Sequence, residues 1–379
     1  MKHFNIYIIC VLAYLSSCKE AYLPKVSDTN KNILVVEGFI NVGPDSTIIK
    51  LSRTVLVDKK NSANPETGAT VSVEVEGGQT LTLTELKNGI YAIPALNLGP
   101  GNKYRLRIKT KGSGEYLSDF VEGLITPAID SVNYVLKTDG LDIFVNTQDP
   151  TNKSRYYRWE YEESWIFYAK HNSQFAWRGG TVVTPREPHE NIFQCWGETK
   201  SSTIITGNST KLTKDVISGQ PIISIGSTSE KLSEKYSILV KQNTLSKEAY
   251  EFWESLKKNT ESLGSIFDVL PSELTGNIKS LTNAKEPVLG YISAGNTQKK
   301  RIFISKDRFP TWRARYPFDC IEPDTAFFWK MPAHFVDNLR IPIDLAVADN
   351  GYIFGYRSAA PECVDCTLRG TNRRPIFWQ

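Results

Sequence analysis

The chemistry most plainly written in this chain lies near its start, where Leu15-Ser16-Ser17-Cys18 sets a hydrophobic residue and two small ones before a cysteine. A thiol in that position accepts a lipid and becomes the first mature residue when the preceding peptide is cut away. Lys2 supplies the positive charge, and the ten residues Ile6 to Leu15 supply the apolar run, that such a signal requires. The run is too short to cross a bilayer, which takes about 20 apolar residues. The expectation is that residues 1–17 are removed, Cys18 is lipidated, and the mature chain is anchored to a membrane without spanning it. An ordinary secretory signal or a buried N-terminal cysteine is the alternative.

Export sets the redox chemistry of the remaining thiols. With Cys10 lost and Cys18 lipidated, Cys195, Cys320, Cys363 and Cys366 remain, an even number in an oxidising compartment. Two disulfides are expected, and three pairings are open. Cys363-Val364-Asp365-Cys366 also has the spacing of half a zinc site or a redox motif, but there is no second such pair, no histidine at ligand spacing and no βαβ setting. His171, His189 and His334 stand apart from one another and from the cysteines. HExxH, Walker A, GxGxxG and GxSxG patterns are missing, so neither a metal nor another cofactor is expected. The acidic pairs Glu162-Glu163 and Glu187/Glu190 leave a hydrolase with dispersed carboxylates as a minor reading. Trp165, Phe167, Tyr168, Trp177 and Trp196 gather in sequence around the stretch from His171 to Glu190, where rings stack on sugars or fill a partner's pockets. Trp165, Tyr168, Trp177 and Trp196 are the binding candidates, against an ordinary role in packing.

These residues must be positioned by strands. Residues Ile33 to Ile40 and Thr47 to Val55 are rich in β-branched side chains, and Val71, Val73 and Val75 alternate with polar neighbours. Asn88-Gly89 tolerates the positive φ of a tight hairpin. Tyr104, Leu106 and Ile108 alternate with Lys103, Arg105, Arg107 and Lys109, giving one apolar and one basic face, the latter read as solvated surface. Short strands with frequent turns predict an immunoglobulin-like β-sandwich over 32–126, following a tether over 18–31. Thr126-Pro127 marks a boundary to a larger β-rich C-terminal domain over 127–379. There Thr138-Asp139-Gly140 signals another hairpin, and Tyr157, Trp159 and Tyr161 face away from Arg158, Glu160 and Glu162. One amphipathic helix is predicted near 246–263, with Ser246 as N-cap and Ala249, Phe252, Trp253, Leu256 and Leu263 on its apolar face.

Composition limits the partners. The 379 residues suit two or three domains, and a formal net charge of +4 with no basic stripe argues against nucleic acid. Eight Trp, 17 Tyr and 17 Phe against two Met suit a β-rich exported binding protein.

Several segments together resemble the domain of unknown function 4249 family of Bacteroidota outer-membrane lipoproteins. They are the lipobox, Leu34 to Ile40, Ser52-Arg53-Thr54, Gly276-Asn277-Ile278, Pro287 to Ala294, Lys300 to Ile304 and the ending from Cys363 to Trp378. The resemblance implies an outer-membrane location, on its outer or periplasmic face, beside a TonB-dependent receptor of the starch-utilisation type, with no established catalytic residues. The expected function is therefore a non-enzymatic lipoprotein that helps such a transporter capture or admit a nutrient or glycan. The alternative is a surface adhesin or polysaccharide-binding structural lipoprotein.

Overall fold

The computed structural model describes residues 32–55, 64–261 and 276–378. Cys18, the signal, the tether and Leu263 fall outside them. The chain is mainly β, as its alternating patterns predict. Tyr104, Leu106 and Ile108 are fully buried, as are Val71 and Val73 on the strand beside them. The basic face of that strand is not simply solvated. Arg105 and Arg107 both donate through Nε to Glu74, at 2.6 and 2.5 Å, and Arg107 also reaches Glu115. Asn88 and Gly89 take φ of 48° and 72°, closing the hairpin between Thr80–Lys87 and Ile90–Ile93.

The first sheet closes on itself. Around its ring run Lys103–Lys109, Thr70–Val75, Thr80–Lys87, Ile90–Ile93, Thr47–Arg53, Leu34–Asn41, Ala294–Gly295 and Val121–Leu124, the last pairing back to the first. Within residues 32–126, then, the strands form most of an eight-stranded ring, which two open sandwich sheets would not. The final gap is filled by chain from far downstream. Ala294 and Gly295 lie parallel to Ile40 and Asn41 on one side and to Gly123 and Leu124 on the other, while Ile278–Ser280 pairs with Glu115–Ser118. Residues 278–295, which a division at 126/127 assigns to the second domain, thus complete the first sheet, and Ile278, Val288, Ile292 and Ala294 enter its core. Closure satisfies two edges that would otherwise present unpaired backbone groups. It also needs a close approach at Gly290, where φ is +143° and a Cβ would stand 2.2 Å from the carbonyl oxygen of Val36.

Two further sheets pack face to face. One holds Asp215–Gly226, Gly140–Asp149 and Ile129–Leu136. The other holds Gln194–Lys200, Tyr156–Tyr168, Lys235–Leu245 and Gln298–Ser305, with Ile205–Asn208 also paired to Tyr156–Tyr168. Ile143 and Val145 from the first meet Trp159, Ile238 and Val240 from the second, all fully buried. Inside this sandwich Trp159 Nε1 donates to Gln242 Oε1 at 2.8 Å, and Gln242 Nε2 donates to the carbonyl of Pro127 at 2.9 Å, so the buried amide ties the core to the linker.

The connection between the two sheets turns on Asp149. Its carboxylate accepts from Thr151 N (2.9 Å) and Oγ1 (2.7 Å), Lys153 N (3.0 Å) and Ser154 N (2.9 Å). Burial opposes its ionisation, but these donors outweigh it and hold the pKa at about 2. A carboxylate depressed on folding stabilises the native state above its ordinary pKa, and that contribution is lost as pH falls from about 4 towards 2. Denaturant titrations of wild type and Asp149→Asn should show the variant weaker by on the order of 1–2 kcal/mol at pH 6, with the gap closing near pH 2. A gap that persists unchanged at pH 2 would show that charge is not what the turn requires.

The chain beyond Ser305 packs against this sandwich. Asp324–Phe327, Ile353–Ala359 and Ile341–Val347 form a three-stranded sheet, and the stretch 171–190, open to an irregular reading in the sequence, contains the hairpin Phe175–Gly179 with Val182–Pro185. Two disulfides fix the region, Cys195 to Cys366 and Cys320 to Cys363. The two cysteines of the Cys-x-x-Cys pair therefore serve different partners, which excludes a dithiol redox couple or half a zinc site there. Among the described residues no cluster of His, Cys, Asp or Glu is arranged to hold a metal.

Candidate functional site

A cleft lies where three elements meet. One wall is the outer face of the ring, along Val35, Glu37 and Phe39, whose neighbours Leu34, Val36 and Ile40 point into the core. The facing wall is the outer surface of the five-stranded sheet. Because Tyr157, Trp159 and Tyr161 turn inward, strand alternation sets Arg158 and Glu160 outward, beside Lys241 and Asn243 on the paired strand. The third side is the helix Lys247–Glu261, through Phe252, Trp253 and Leu256. The half-open cleft has a volume of about 830 Å³, within the ordinary range for small-molecule sites.

Helix placement follows from its ends and its polar face. Ser246 Oγ accepts from Ala249 N at 3.2 Å, the N-cap read from the sequence. Asn208 Nδ2 donates to Tyr250 OH at 2.8 Å, and Thr206 Oγ1 donates to Glu254. Ala249 and Phe252 are buried beneath it. The base of the cleft is pinned by Thr297, whose Oγ1 accepts from Asn41 Nδ2 at 3.2 Å and Asn243 Nδ2 at 2.8 Å, joining ring to sandwich.

Arg158 is the unusual group here. Its guanidinium stacks 3.8 Å above the Trp253 ring and bonds Glu160 Oε1 through Nη2 at 2.6 Å. Nε is buried and has no partner. Burial pulls the Arg158 pKa down, with Glu160 and Glu37 opposing, yet an arginine stays cationic in the physiological range. The other charges lining the cleft are matched: Lys241 with Glu162 at 2.6 Å, Lys299 with Asp45 at 2.5 Å, Glu37 with Lys50 at 3.2 Å. Burial works against an ionised Glu162, but Lys241 and Lys200 hold its pKa below the usual carboxylate range.

The four ring candidates lie elsewhere and do not converge. Trp165 packs over Gly197, where any Cβ would meet its ring at 2.4 Å, and Lys231 Nζ sits 5.3 Å from its centroid. Tyr168 contacts Phe193 with centroids 5.1 Å apart. Trp177 joins the Phe335 cluster and donates from Nε1 to the carbonyl of Gly180 at 3.0 Å. The backbone of Trp196 bridges to Thr371. None of the four lines the cleft. Of the residues that do line it, Trp253 and Phe252 had a sequence signal, helical periodicity, which pointed to core. For Arg158 and Glu160 the sequence says only that they lie opposite Tyr157, Trp159 and Tyr161, because nothing local shows what they face.

No curated protein matches the sequence. Among solved structures, a mutant Salmonella alpha-2-macroglobulin is similar at 12% identity with a TM-score of 0.18, the match covering 90% of this chain and 17% of that one. So remote a likeness bears on neither fold nor function. The family comparison is decisive, although it stops short of the Cys363 to Trp378 ending: a model described as a domain of unknown function, DUF4249, matches residues 19–301, and the chain belongs to that family.

Proposed function

We propose that this protein is a lipid-anchored outer-membrane binding protein, non-catalytic, that holds a small nutrient in its cleft beside a TonB-dependent transporter. The observation that carries the binding reading is the cleft itself: apolar rings on the helix face an arginine with an unmet donor, across a base locked by Thr297. Its carboxylates are each held by a cation, an arrangement suited to fixing a ligand and not to exchanging protons with one. Support for anchoring comes from Leu15-Ser16-Ser17-Cys18. Among the described residues no helix is long and apolar enough to cross a membrane. A lipid would confine the protein to the plane of a barrel and raise their effective concentration for one another.

Two measurements test it. Cells fed an alkyne-bearing fatty acid should label the wild-type protein and leave Cys18→Ala unlabelled and outside the membrane fraction; equal labelling of both would end the anchoring proposal. Mild detergent extraction should recover a transporter barrel in stoichiometric amount, and recovery of the lipoprotein alone counts against the partnership.

The polysaccharide-binding alternative has one observation of its own. Trp329 is 71% exposed and stacks on Phe327 with centroids 4.7 Å apart. Such rigid rings offer a face to a sugar. Retention on insoluble polysaccharide that Trp329→Ala abolishes would favour it.

A further inference from the structure

The unmet chemistry of the cleft specifies a class of ligand. Six charged side chains line it, and five are accounted for by ion pairs whose geometry leaves no polar atom stranded. Arg158 differs. One oxygen of Glu160 takes one of its five donors, Trp253 covers a face of the guanidinium, and Nε stays buried without an acceptor. A desolvated donor left unpaired is costly, so a ligand that supplies the acceptor recovers that cost on binding. A charged planar acceptor recovers more than a neutral one, because a guanidinium grips a carboxylate at two points. Glu160 is a weak competitor, since its side chain is 45% exposed and it uses a single oxygen. Beside this polar point, Phe252, Leu256, Phe39 and Ile48 give the cleft an apolar portion, and Ile48 is 52% exposed, uncovered by any part of the described chain.

Resting on the binding reading above, we infer that the cleft takes a small organic acid, its carboxylate on Arg158 and its apolar part between the helix and Phe39. Trp253 acts as the positioning residue that holds the guanidinium flat. Removing Glu160 should help the ligand, an effect no purely structural role for Arg158 predicts.

Isothermal titration of the detergent-purified full chain with 4-phenylbutyrate, 4-phenylbutanol and 4-phenylbutylamine tests this. The acid should bind at least tenfold tighter than the alcohol or the amine. Arg158→Gln should reduce acid affinity at least tenfold, Arg158→Lys only severalfold, and Glu160→Gln should raise it severalfold. Arg158→Lys keeps the charge and guards against a fold lost in Arg158→Gln. No acid binding, equal binding of the alcohol, or indifference to Arg158→Gln and Glu160→Gln overturns the inference. If the alcohol binds as well as the acid and Trp253→Ala removes both, the acid class is wrong while the cleft remains a binding site. If none of the three binds, both readings fail for ligands of this size.

Discussion

Replacing Cys195 and Cys366 together by alanine is expected to cost about 2–5 kcal/mol of stability and to release the C-terminal residues to protease. The bridge closes a sequence separation of 171 residues, the longer of the two, and joins the strand Gln194–Lys200 to the turn Cys366–Leu368. Both cysteines are fully buried, packed with Phe167 and Ala169, so alanine also loses packing. What the bridge secures is the following chain. Arg369 binds both oxygens of Glu230 at 2.6 and 2.7 Å, over the ring of Phe167, and Trp378 donates from Nε1 to Ser164 Oγ at 3.1 Å while packing on Phe303. Without the bridge those contacts must themselves offset the freedom of the tail. Removing Cys320 and Cys363, whose separation is 43 residues, should cost about 1 kcal/mol less on loop length alone. Denaturant unfolding and timed proteolysis of the two double variants give the comparison. Should the Cys195/Cys366 variant match wild type within 0.5 kcal/mol, the noncovalent contacts alone hold the tail.

Much of the architecture was legible because it is local. Alternation at Val71, Val73, Tyr104, Leu106, Ile108, Tyr157 and Trp159 named side chains that are all fully buried, and Asn88-Gly89 and Asp139-Gly140 marked real hairpins. Ring closure was not legible. Ala294 and Gly295 meet Ile40 and Gly123 across more than 150 residues of chain, and a two-residue parallel pairing leaves no periodic trace. The cleft was hidden for a related reason. Arg158 and Glu160 lie on the polar face of a strand, and only the tertiary fold brings Phe39 and the helix opposite them. The ring candidates do not gather at the cleft, because density of aromatics in sequence marks packing around Cys195 and Phe335 as readily as a binding surface. Disulfide pairing was likewise beyond the spacing, since adjacent Cys363 and Cys366 go to partners 43 and 171 residues away.

The sandwich carries one buried charge whose loss should be as severe as that of the disulfide. Glu163 is 3% exposed, and its carboxylate accepts from Lys231 Nζ at 2.6 Å and Tyr236 OH at 2.8 Å. Lys231 comes from the 3-10 turn Glu230–Leu232, which the next strand leads away from, so the pair ties a surface turn to the core strand. Lys231→Met preserves the aliphatic stem against Trp165 but leaves the carboxylate with a single neutral donor. Stripping one partner from a buried pair costs about 3–5 kcal/mol, because the remaining charge has lost both water and its counter-ion. The pair itself is worth much less, since removing both charges also removes the desolvation penalty. Lys231→Met with Glu163→Gln should therefore be more stable than Lys231→Met alone by about 1–3 kcal/mol, the amide still accepting from Tyr236. Denaturant midpoints of the four species close the cycle. If the double variant is no better than Lys231→Met, the lysine acts through its cation on the Trp165 ring, 5.3 Å from the centroid, and not through the Glu163 carboxylate.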